Sequence, residues 1–115
     1  MTWNELTSAD QISDLIAHSS TVPCLIFKHS TTCSISFMAK SRLEANWDFE
    51  PGNPECYYVD VKSMRMISLA IAEKFQVHHE SPQVLLIVNG ECIYDASHLD
   101  ITVDEIHEAL QTQML

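Results

Sequence analysis

Glycine is scarce in this 115-residue chain, with Gly52 and Gly90 the only two. Two glycines cannot supply the three-glycine fingerprint of a dinucleotide site, nor a glycine-rich loop around phosphates. Basic residues are almost as sparse: six Lys and Arg stand against sixteen Asp and Glu, for a formal charge of −10. A nucleic-acid surface needs a basic patch that six scattered cations cannot build, and an anionic membrane surface is disfavoured for the same reason. Long apolar runs are missing too. The longest clean one, Val84-Leu85-Leu86-Ile87-Val88, is far short of the ~20 residues of a membrane helix. The N-terminus, MTWNELTSAD, has neither a basic start nor an apolar core, so it does not read as a signal peptide. These absences point to a cytoplasmic protein that binds neither nucleic acid nor membrane.

What is present is a chain 46% apolar and 19% charged. That is too apolar for a disordered tail and matches one compact domain spanning residues 1–115. Apolar spacing and turn residues lay out the elements. Ser8-Ala9-Asp10-Gln11 is a capping-box start, followed by Ile12, Leu15 and Ile16 at helical spacing. Cys24-Leu25-Ile26-Phe27 reads as a short buried strand. A helix follows from near Cys33, with Phe37, Met38, Ala39 and Leu43 as inward candidates, and ends before the turn-rich stretch Asn46–Pro54. Tyr57–Val61 is a second strand, and Arg65–Phe75 a helix with Ile67, Ala70, Ile71 and Phe75 on one face. Asn89-Gly90 joins Val84–Val88 to Cys92–Asp95 as a hairpin. A second capping box, Thr102–Glu105, opens a last helix that turns Val103, Ile106, Leu110 and Met114 inward. The order α-β-α-β-α-β-β-α, with its first strands joined through a helix and its last through a hairpin, predicts an α/β thioredoxin-like fold: a mixed four-stranded sheet flanked by helices.

The four cysteines divide unequally. In a reducing compartment they are expected as thiols. Cys24, Cys56 and Cys92 lie in or beside apolar strand segments, where cysteine behaves as a small hydrophobe. Cys33 lies in the polar run His29-Ser30-Thr31-Thr32-Cys33-Ser34-Ile35-Ser36, between a strand and a helix. No C-x2–4-C pair surrounds it, and adjacent residues such as His78-His79-Glu80 rarely converge on one ion, so no metal site is expected. A cysteine at a helix N-terminus faces unpaired N–H groups and the positive end of the dipole, which favour the nucleophilic thiolate. The charge pattern agrees, because the 29 residues between Asp14 and Glu44 contain no acid while holding Lys28, Lys40, Arg42, His18 and His29.

Two further features complete the candidate site. Ser81-Pro82 stands just before the Gln83-Val84-Leu85 strand, where this topology places a cis proline whose preceding backbone can pair with an extended ligand. Position 36 is Ser, giving C-x-x-S. A mixed disulfide on Cys33 then has no resolving thiol in the usual place and must be released by an outside thiol. From the residues alone three uses stay open: monothiol thiol–disulfide exchange, an iron–sulfur cluster held by Cys33 with an external thiol, and a non-catalytic binding module recruiting a partner beside Pro82.

The segments Phe27–Ser36, Arg65-Met66-Ile67-Ser68, His79-Glu80-Ser81-Pro82-Gln83 and Asp95-Ala96-Ser97-His98 together resemble the YtxJ-type monothiol bacilliredoxins over nearly the whole chain. That family is described as bacillithiol-system redox or general stress proteins. The resemblance implies an enzyme that removes bacillithiol from protein mixed disulfides, with bacillithiol as a co-substrate and no tightly bound cofactor. Its partners would be bacillithiolated proteins and a low-molecular-weight thiol, and the chain a monomer or weak dimer. Carried over by motif, Cys33 attacks, Ser36 replaces the resolving cysteine, and Ser81-Pro82 faces the ligand. Lys28, together with Arg42, would meet the carboxylates of bacillithiol's malate group, and His29, Thr32 and Ser34 would border the ligand. Ser34 departs from the family motif, which reads proline there. Proline would preset the helix start, whereas Ser34 leaves it looser and adds a hydroxyl.

Overall fold

A computed structural model describes residues 1–113. The chain runs β1 (Trp3–Glu5), α1 (Ala9–His18), β2 (Cys24–His29), α2 (Ser34–Asn46), β3 (Glu55–Asp60), α3 (Arg65–Phe75), β4 (Gln83–Val88), β5 (Glu91–Ser97), a 3₁₀ turn (His98–Asp100) and α4 (Val103–Gln113). The sheet has five strands in the order β1-β3-β2-β4-β5. β2 pairs parallel with β3 and antiparallel with β4, and β4 pairs antiparallel with β5. This is the expected mixed sheet with one more strand. Trp3–Glu5 adds to the outer edge of β3, with Trp3 opposite Cys56. Three residues are too few to show a strand periodicity in sequence.

Strand alternation divides the core into two layers. Leu25, Phe27, Val84 and Leu86 meet Ala39 and Leu43 of α2 and Val103 and Ile106 of α4 on one face. Cys24, Ile26, Leu85 and Ile87 meet Leu15 of α1 and Ile71 and Phe75 of α3 on the other. Each aliphatic side chain so buried contributes roughly 1.5–3 kcal/mol. β2, central in the sheet and covered on both faces, is buried along its whole length. The local signals act as expected. Gln11 Oε1 accepts the Ser8 backbone N–H at 3.0 Å, the Glu105 N–H donates to Thr102 Oγ1 at 3.2 Å, and the β4–β5 turn places Asn89 and Gly90 at φ 52° and 76°.

Two expectations change. Phe37 and Met38 do not enter the core; they are 52% and 64% exposed, because the inward stripe of α2 is Ser36, Ala39 and Leu43. Leu110 packs against the core from α4, and Met114 lies outside the described residues. Among the described residues no helix is long and apolar enough to cross a membrane.

Candidate functional site

β2 ends at His29 and α2 begins at Ser34, so the intervening loop stands at the C-terminal end of the central strand. Cys33 is the N-cap of α2, with extended φ/ψ of −109° and 121°. Its N–H donates to Ser30 O at 3.2 Å, and its carbonyl accepts from the Phe37 N–H at 3.1 Å. The backbone is therefore fixed on both sides while the thiol is free and partly exposed. Thr32 and Ser34 flank it as exposed residues. A neighbouring loop braces this one, the Val61 N–H donating to His29 O at 2.9 Å.

Ser36 is fully buried, one turn into the helix. Its Oγ accepts the Ser30 N–H at 3.0 Å and shares a 2.6 Å hydrogen bond with His29 Nδ1. In this C-x-x-S motif the serine thus ties the loop to the helix. His29 is held between Phe27, stacked at 5.6 Å, and the edge of Phe37 at 5.4 Å. Burial, followed by the positive charge of Lys40, holds its imidazole below the usual histidine range and hence neutral at pH 7.

Ser81–Pro82 is a cis bond, as the topology led us to expect, and Asn53–Pro54 is cis as well. β4 is antiparallel to β2 and pairs Gln83 with Lys28, so Pro82 enters the sheet at the end where β2 leaves it. Pro82 O accepts the His98 N–H at 3.0 Å, joining the proline loop to the 3₁₀ turn. The Ser81 hydroxyl is buried and has no partner among the described residues.

The cations are disposed differently from the expectation. Lys28 alternates with His29 and so faces the other side of the sheet, where it is fully buried. Its Nζ lies 3.0 Å from His79 Nδ1, and burial lowers its pKa to about 8. Burial and the charges of Lys28 and Arg65 keep His79 below its ordinary value, consistent with a neutral ring accepting from the ammonium. Lys28 therefore anchors the segment before Pro82 and does not line an open ligand surface. The Arg42 guanidinium is likewise engaged, donating to Leu99 O at 3.2 Å and Ile101 O at 2.9 Å. The structure thus groups Thr32, Cys33 and Ser34 on one rim, sets Ser36 and His29 behind them, and leaves Lys28 on the opposite face.

Two features were not singled out as site elements in the sequence. His79 reads as a loop residue because its partner is 51 positions away. Leu99, 70% exposed, forms an apolar rim with Ile35, Phe37 and Met38, and only its exposure shows this. The other thiols lie in or beside the sheet. Burial pushes Cys24 and Cys92 up to about 11 and Cys56 to about 12.

Comparison with known proteins bears on the family and the fold. The family model described as monothiol bacilliredoxin BrxC matches residues 4–106. A solved structure with a thioredoxin fold and a provisional oxidoreductase assignment is 34% identical, covering 94% of this chain and 93% of its own, with a TM-score of 0.77. Fasciola hepatica thioredoxin is 18% identical over 95% of this chain and 97% of its own, TM-score 0.71. Thioredoxin from Trypanosoma brucei brucei is 12% identical over 98% and 91%, TM-score 0.72. The last two speak for the fold alone.

Proposed function

The chain belongs to the monothiol bacilliredoxin BrxC family, a membership that with its thioredoxin fold supports a thiol redox role, and on that footing we propose that it removes bacillithiol from protein mixed disulfides. In the first step the Cys33 thiolate attacks the bacillithiol sulfur of a protein–S–S–bacillithiol disulfide. The protein thiolate leaves and Cys33 carries the bacillithiol. In the second, the thiolate of a free low-molecular-weight thiol attacks that bacillithiol sulfur. A small-molecule disulfide departs and Cys33 returns as thiolate, so one disulfide is consumed and one formed in each step.

The observation that carries this reading is the contrast around Cys33: a free thiol at a helix N-cap, with a buried and already hydrogen-bonded Ser36 where a dithiol enzyme has its resolving cysteine. The remaining thiols favour their protonated forms, which supports release by an outside thiol in place of internal closure. The Ser81 backbone pairs with the incoming ligand beside Pro82, and Thr32 and Ser34 offer hydroxyls at the rim. Because Lys28 and Arg42 are engaged elsewhere, they act as supports for the proline loop and the 3₁₀ turn, leaving the ligand carboxylates to the rim. We place this activity in the cytoplasm, where thiols are kept reduced.

The test is intact-mass measurement after mixing the reduced protein with a bacillithiolated substrate protein, with a glutathionylated substrate and the Cys33→Ala variant in parallel. The expected result is a bacillithiol-sized adduct on the wild type, absent from the variant and from the glutathione lane. No adduct on Cys33 from either substrate would overturn the proposal.

A further inference from the structure

Among the described residues Lys28 is the one Lys, Arg, Asp or Glu buried in the core, and it makes no ion pair. Its Nζ meets His79 Nδ1 at 3.0 Å. A charged ammonium can only donate, so the ring nitrogen facing it must offer a lone pair. A charged imidazole would instead turn an N–H towards the ammonium, and the contact would break. His79 stands three residues before Pro82, in a segment with two further ties. Gln83, opposite Lys28 across the β2–β4 ladder, donates from Nε2 to His78 O at 2.9 Å. At the surface, Glu80 meets His78 at 3.6 Å and His98 at 3.7 Å. The seated segment also carries a cost: Gln83 Oε1 and the Ser81 hydroxyl are buried without a partner among the described residues. Each has lost its water with no hydrogen bond in exchange, a penalty that opening the segment relieves.

We propose that Lys28 and His79 form a proton-operated clasp on the proline loop: the neutral imidazole holds residues 78–82 against β2, and a proton on His79 releases them. The clasp operates whatever Cys33 does, and so stands beyond the function proposed above. The groups around the imidazole decide its sign. Burial opposes a charge on the ring most strongly, followed by Lys28 from β2 and Arg65 from the start of α3, with His78 adding a little. Glu80 alone favours the charge, and its carboxylate is shared with His78 and His98. The seated loop therefore takes up a proton less readily than a released loop, whose imidazole titrates near the ordinary value of 6.5. Protons accumulate on the released form. The hold on the loop is complete above that ordinary value and weakens as the pH falls below it.

Hydrogen exchange at the His98 N–H, which binds Pro82 O, reads the loop without involving Cys33. Its protection factor, corrected for the intrinsic exchange rate, is measured by NMR at about pH 7.5 and about pH 5.5 for the wild type, His79→Gln and Lys28→Met. The imidazole resonances of His78, His79 and His98 are titrated in the same samples. The wild type is expected to lose up to about tenfold in protection at the lower pH, the excess of charged over neutral imidazole one unit below its ordinary value. His79→Gln, whose amide oxygen accepts from the ammonium but takes no proton, is expected to hold the same protection at both. Lys28→Met is expected to move the His79 titration back up towards the ordinary histidine range. Wild-type protection that does not fall, or a His79 titration that Lys28→Met leaves unmoved, would overturn the clasp. A fall that persists in His79→Gln would assign the effect to the Glu80 pairs with His78 and His98, and would overturn it as well.

Discussion

Cys33 and the strand cysteines carry the same side chain, yet the fold places them in different surroundings. Cys24 and Cys56 occupy β2 and β3, packed into opposite core layers, and Cys92 is half-buried on β5. For all three, loss of water is the largest influence, and it stabilises the neutral thiol. Cys33 stands one loop beyond the end of β2, at the start of a helix, with its backbone held and its sulfur free. A sheet interior stores thiols and a strand–helix junction exposes one. Position in the fold, more than the residue, decides which thiol is within reach of solvent.

The largest expected effect concerns that division directly. Short exposure to iodoacetamide at neutral pH should label Cys33 alone, and Cys33→Ala should take up no label. With burial pushing Cys24 and Cys92 up to about 11, their thiolate fraction is about 100-fold below that of an ordinary thiol. Peptide mapping that finds Cys24 or Cys56 labelled as quickly would break the comparison.

Lys28 extends it to a cation, because burial suppresses charge there too. Between pH 8 and 10.5 the unfolded chain holds a proton that the folded Lys28 has released, so raising the pH through this window favours the fold. The buried thiols work the other way above pH 9, where the unfolded chain ionises first. Urea unfolding of wild type and Lys28→Met across the window cancels the thiol contribution. The wild type should gain on the variant by on the order of 3 kcal/mol as the pH rises; a constant difference would show that Lys28 is not desolvated.

Ser36→Ala sharpens the comparison at the Cys33 end. It leaves the Ser30 N–H and His29 Nδ1 without their shared partner, and the expected loss of stability is about 2 kcal/mol. The smallest effect is expected for Cys24→Ala, which removes one sulfur from the core at about 1 kcal/mol and should leave transfer at Cys33 at the wild-type rate. Chemical denaturation together with the mass assay reads both quantities.

Most of the frame could be read from the sequence because its signals are local. The capping boxes, the Asn-Gly turn and the apolar spacing of α3 each act within a few residues. The placement of Cys33 was legible for the same reason, as a polar run between a strand and a helix. What could not be read depends on distance along the chain. The Lys28–His79 pair spans 51 positions and the Arg42–Leu99 contact 57, so both cations looked available to a ligand when each is committed to the fold. Phe37 and Met38 misled for another reason. Apolar composition argues for burial, and only the orientation of α2 shows which side its stripe takes.

The aromatic contacts have an optical consequence. Trp3 packs on Phe27 at 5.7 Å, Phe27 on His29 at 5.6 Å, and His29 on Phe37 at 5.4 Å. This unbroken line of rings runs from an indole on the edge strand to the helix that Cys33 begins. The other indole, Trp47, lies against Phe49, whose ring stacks on His107, outside that line. The chain therefore carries one indole in ring contact with the start of α2 and a second outside that line. Replacing Trp47 by Phe would leave Trp3 as the single indole, and its emission would then report on the packing of that line.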